Sequence, residues 1–219
     1  MKKFLSILLA LLLIASTAAL AEGPASLSGD AYYAANLFLS NFSEVGTFSC
    51  GDCYLSYIHS WASHENALID FAIDHMWFNN RSQYEWGDYT IDGESYNCRV
   101  SDAKIQYYID SYFYDMYEMD HEQTRYTYKD GWYYTEETGG HTTNGFTLVT
   151  GMLPLGDDTY CFTFGVFAGG NSWDSTALSL SWSEACARYG EPSSLGCARV
   201  HATDIRDRST YRLISYGAA

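Results

Sequence analysis

Basic residues are scarce in this 219-residue chain: 12 Lys and Arg stand against 27 Asp and Glu, a formal net charge of −15. A surface of that sign repels phosphate backbones and anionic headgroups, so nucleic acid and anionic membranes are poor partners. Proline is scarce too, at three residues, which leaves no room for a low-complexity stalk and points to a globular protein. After residue 20 no apolar run is long enough to span a bilayer. The chain has no H-E-x-x-H, EF-hand spacing, P-loop, dinucleotide fingerprint or G-x-S-x-G. A single C-x-x-C with no second copy leaves zinc short of ligands. No metal and no cofactor are expected.

What is present begins with an export signal. Lys2 and Lys3 precede an apolar stretch from Phe4 to Leu20, and Ala19-Leu20-Ala21 supplies the small residues of a cleavage site. The pattern predicts a mature chain starting at Glu22, secreted or extracellular, with a flexible leader over 22–28 and one domain over 29–219. Six cysteines then enter an oxidising space, where disulfides are the default. Cys186 and Cys197 flank a short loop with Gly190, Pro192 and Gly196, which makes them natural partners. Cys50-Gly51-Asp52-Cys53 has the spacing for thiol–disulfide exchange. A Gly-Thr-Phe-Ser stretch, rather than a strand, precedes it, so a structural role for both cysteines is the simpler reading.

Helical periodicity fills the first half. A helix is predicted from about Asp30, capped by Ser28 or Asp30, with Tyr33, Leu37, Phe38 and Phe42 on one face. The stretch Asn36-Leu37-Phe38-Leu39-Ser40-Asn41-Phe42-Ser43-Glu44 resembles one found in secreted Gram-positive bacterial proteins with no assigned activity. The resemblance spans nine residues and implies an exported bacterial protein with an N-terminal helix. A second helical region, Tyr54 to Asn79, is apolar on most sides, with Asn66, Asp70 and Asp74 on a narrow polar stripe. A third is predicted from Ser101 as cap, with Ile105, Tyr108, Ile109, Tyr112, Phe113 and Met116 at helical spacing.

Beyond residue 122 the period becomes two. Thr124–Lys129 and Trp132–Thr135 around Asp130-Gly131 predict a hairpin. Further strands are expected at Gly145–Leu153, Thr159–Phe167, Cys197–Thr203 and Thr210–Tyr216, while 177–190 reads equally as helix or irregular chain. Helices first and a meander afterwards predict an α+β fold, N-terminal helices on one curved antiparallel sheet. That layout is similar to the cone-like folds of the nuclear-transport-factor type, a likeness of architecture that assigns no function.

Two sets of side chains carry candidate chemistry. His75 beside Asp74 is the minimum for general-base work, against the alternative of a hydrogen-bonded structural histidine. Tyr126, Tyr128, Trp132 and Tyr134 crowd one hairpin. On an open face they would stack against a sugar or peptide; packed on Tyr108, Tyr112 and Phe113 they would be core, the expected outcome for a sheet that must cover a helix. The reading is a secreted, non-catalytic bacterial α+β domain with a structural or ligand-binding role, its partner a cell-wall glycan or peptide. An extracellular hydrolase using Asp74 and His75, and a thiol–disulfide protein using Cys50 and Cys53, are the alternatives.

Overall fold

The computed structural model describes residues 27–44, 62–114, 119–121, 124, 126–136, 145–168 and 174–218. The signal segment, most of the leader, Cys50 and Cys53 lie outside the described residues.

Helix α1 (Gly29–Glu44) opens the described chain. Its small residues Ala31, Ala34 and Ala35 are buried with Phe38, Leu39 and Phe42, so its backbone lies close to its neighbours. Helix α2 (Ala62–Asn79) buries Leu68, Ile69, Phe71, Ala72, Ile73, Met76 and Trp77, the broad apolar front expected of it. A single 3₁₀ turn, Arg81–Gln83, ends the helical run.

Strands β1 (Glu85–Ile91) and β2 (Glu94–Ser101) follow as a hairpin on Asp92-Gly93, both at positive φ (52° and 94°). That is the backbone a two-residue turn needs to match strand twist. Helix α3 (Asp102–Tyr112) leaves β2 without a break. Ser101 stands at its N-cap but makes no side-chain cap bond; the Asp102 carboxylate instead accepts the Ala103 amide at 2.6 Å. Ile105 and Ile109 are fully buried on its apolar stripe, and Phe113 leaves the helix to bridge Leu213. The Asp130-Gly131 hairpin, β3 (Thr127–Lys129) and β4 (Trp132–Thr135), then pairs with β2, giving the order β1-β2-β4-β3.

The last four strands are a separate meander: β5 (Phe146–Gly156), β6 (Thr159–Phe167), β7 (Ser194–Ala202) and β8 (Tyr211–Ala218). Between β6 and β7 come a 3₁₀ turn, Ser175–Ser179, and helix α4 (Trp182–Tyr189), held by a reciprocal capping box between Ser181 and Glu184. The fold is α+β. Among the described residues it has two four-stranded antiparallel sheets where a single curved sheet was expected.

The β5 edge of the second sheet is covered by α1. The amides of Thr147 and Val149 are taken by Ser40 Oγ (2.9 Å) and Asn36 Oδ1 (2.7 Å) of α1. Ser43 Oγ meets Thr147 Oγ1 at 3.0 Å, and Asn36 donates back to the Leu178 carbonyl at 2.8 Å. Side chains of a helix thus occupy bonds a ninth strand would make, and the edge is closed to further pairing. The main core joins α1, α2 and α3 to one face of each sheet, while α4 and the 175–179 turn bury Phe146, Leu148 and Phe167 in a second cluster.

Candidate functional site

The C-terminal half of α1, the end of α2 and the last turn of α3 converge on a cavity of about 490 Å³, closed on its other side by Asp174, Ser175, Leu178 and Arg208. That volume lies within the range of small-molecule sites. Its floor is polar although it sits against the core.

Asn41 is fixed first: its Nδ2 donates to the carbonyls of Leu37 (3.1 Å) and Phe38 (3.0 Å), which turns Oδ1 outward from its own helix. His75 Nε2 lies 2.9 Å from that oxygen, and the Tyr112 hydroxyl lies 3.1 Å from the same nitrogen. An Oδ1 acceptor requires Nε2 to carry the proton, so the neutral ring leaves Nδ1 as a bare acceptor. Nδ1 is buried and has no hydrogen-bond partner. The ring stacks on Phe71 at 5.5 Å and meets Tyr112 at 4.7 Å between centroids.

The electrostatics keep this floor neutral. Burial, with Arg208 adding to it, lowers the His75 pKa to about 4. Burial raises the Tyr112 phenol to about 12, against a lowering pull from Arg208. Burial also raises the Glu44 carboxyl, with a hydrogen bond to Asn79 opposing it. At the opposite wall Asp174 accepts the Thr176 hydroxyl and amide, which hold its carboxyl below the usual range. Histidine and phenol uncharged, two carboxyls (Glu44 and Asp174) and a guanidinium at the walls, and amides at Asn79 and Asn80 make a surface built for hydrogen bonding. A second recess of about 360 Å³ lies along α3, lined by Gln83, Ala103, Lys104, Tyr107 and Tyr108; Asn80 and Tyr112 line both.

His75 is therefore in the site, 2 % exposed. Asp74 is not among the cavity residues, because successive helical positions point about 100° apart; the hydrogen bonds of His75 go to Asn41 and Tyr112. The four hairpin aromatics do not share a face. The register Lys129↔Trp132, Tyr128↔Tyr133, Thr127↔Tyr134 puts Tyr128 with the core residue Tyr133 and sends Trp132 and Tyr134 to the other side. Tyr128 donates to Asp102 at 2.8 Å, and Tyr126 packs half-buried against the core. Tyr134 is buried, and half-buried Trp132 lies 3.8 Å beneath the Arg99 guanidinium, which also pairs with Glu85 at 2.9 Å. The rings are structural contacts rather than one platform.

The expected Cys186–Cys197 bridge is absent; Cys186 and Cys197 are unbridged. Cys186 packs from α4 against the second cluster, whereas Cys197 is already inside β7, opposite Thr163. Strand pairing, not the loop between them, sets where Cys197 points. Among the described residues no three His, Cys, Asp or Glu side chains gather as a metal site, and no helix is long and apolar enough to cross a membrane.

Asn41, Glu44, Asn79, Asn80, Tyr112, Asp174, Ser175 and Arg208 were not legible as site residues. The one signal available was polarity out of place: Asn36, Ser40 and Asn41 interrupt an apolar helix and are all buried. Searches against protein-family models, curated proteins and solved structures find no match to this chain.

Proposed function

We propose that the protein is an exported, non-catalytic binding domain that holds a small polar molecule in the cavity above His75. One observation carries the reading: a cavity large enough for a ligand gathers the polar side chains of Asn41, Glu44, His75, Asn79, Tyr112 and Arg208 in one place. The leader with Lys2, Lys3 and Ala19-Leu20-Ala21 supports export.

A hydrolytic reading rests on Ser175 and His75 sharing the cavity. It is the weaker one. The free nitrogen Nδ1 makes no hydrogen bond to Ser175, and a general base needs its proton donor within reach. A thiol–disulfide role would rest on Cys50 and Cys53 alone.

The test is a thermal-shift screen of neutral sugars, amino acids and short peptides against the wild type and Ser175→Trp. Ser175 is exposed at the rim, so the indole fills the cavity and leaves the core intact. A ligand class that raises Tm in the wild type but not in a folded Ser175→Trp is the expected result. Equal shifts in both proteins, or none in either, would remove the cavity as the binding site.

A further inference from the structure

We infer that the ligand is a neutral linear oligosaccharide, running from the His75 cavity across Asn80 and Tyr112 into the recess along α3, with the Tyr107 ring stacked on a distal sugar. This rests on the cavity being the binding site, and extends it to a ligand class and a direction.

Continuity is the first ground. The two recesses, about 490 and 360 Å³, share Asn80 and Tyr112 as common wall, so a chain leaving one enters the other. Each alone is within the size range for one compact ligand; a single small molecule would leave the second empty. The second ground is the chemistry of the path. Asn79, Asn80 and Gln83 line it with side-chain amides; an amide both donates and accepts, although the Asn79 N–H₂ already serves the His75 carbonyl and Glu44. Sugar hydroxyls likewise both donate and accept. Tyr107 supplies the third: it is 69 % exposed, at the rim of the second recess, its ring only edge-on to Tyr108 at 6.2 Å. An aromatic ring in that position contributes nothing to the core, and the C–H face of a pyranose is the apolar surface that fits it while the ring's edge hydroxyls reach the amides.

Charge and shape narrow the class. The strongly acidic chain disfavours an anionic polymer, and the Lys104 ammonium, the nearest cation in the second recess, is held at 2.8 Å by the Gln83 carbonyl. The commonest main-chain mode of recognising an extended peptide adds it to an open strand edge. Among the described residues, those lining both recesses come from helices and turns, and no strand borders them.

The experiment is isothermal titration calorimetry of the full mature chain with β-1,4-linked glucose and N-acetylglucosamine oligomers of increasing length, and with neutral peptides of matched length. For at least one sugar series we expect affinity to rise about tenfold between two and four units, the rise to vanish in Tyr107→Ala and return in Tyr107→Phe, and the disaccharide to bind both variants as it binds the wild type. Length-independent sugar binding blocked by Ser175→Trp would overturn the extended path and leave the cavity reading standing. Length-dependent binding of peptides but not sugars would overturn the ligand class. Absence of sugar binding at any length overturns this inference whether or not another small molecule occupies the cavity.

Discussion

Lowering the pH from 7 to 5 is expected to weaken the fold through His75 by about 2 kcal/mol. In the unfolded chain the imidazole titrates near its ordinary 6.5, whereas in the fold burial and Arg208 hold it at about 4. Between those values the unfolded chain takes up a proton that the folded chain refuses. The stability contributed by keeping His75 neutral is therefore complete above pH 6.5 and is lost as the pH falls towards 4, at about 1.4 kcal/mol per unit. Glu44 acts in the opposite sense: its carboxyl is raised in the fold, so acid relieves the cost of burying its charge. His75→Gln separates the two, since it leaves Glu44 in place, keeps a donor for Asn41 and removes the titrating ring. Urea unfolding of both proteins at pH 7 and pH 5 should show the wild type losing about 2 kcal/mol more than the variant. Equal losses would refute the neutral, buried histidine and the tautomer derived from it.

Asn36→Ala should cost about 2–4 kcal/mol, because it strips the Val149 amide and the Leu178 carbonyl of their partner at once; urea titration checks this, and a change under about 1 kcal/mol would mean that water replaces the side chain. Tyr133→Ala should lose about 3–5 kcal/mol and half-buried Trp132→Ala distinctly less, since only Tyr133 is fully enclosed; the reverse order in chemical denaturation would invert the hairpin's register. Peptide mapping of the unreduced protein should recover no Cys186–Cys197 link, and alkylation of the folded protein should modify Cys161, Cys186 and Cys197, none of which is fully buried.

The late strands and α3 were legible because their apolar residues keep a strict period: Thr159–Phe167 forms as read, and Ile105 and Ile109 are fully buried. The β1–β2 hairpin was missed despite its Asp92-Gly93 turn. A bulge between Trp86 and Tyr89 shifts the register and breaks the alternation that identifies a strand. The site was less legible still. Asn41, His75, Tyr112, Asp174 and Arg208 come from separate elements of the chain, and each alone resembles an unremarkable polar residue on a helix or turn. Sequence adjacency favoured Asp74 as the partner of His75, whereas the fold supplies Asn41, 34 positions earlier, and Tyr112, 37 positions later.

The side chains by which α1 closes the β5 edge reach residues 104 to 142 positions further along. A ribosome makes this helix long before the strand it must cover, so α1 waits unlocked through most of synthesis. Contacts of such separation carry a large loop-closure cost and slow the search for the native state. Until they form, β5 is an open template for any passing strand. The vulnerable interval in the life of this protein therefore lies between the completion of β5 and the return of α1, and a substitution at Asn36 or Ser40 lengthens it, turning a modest loss of stability into a disproportionate loss of yield.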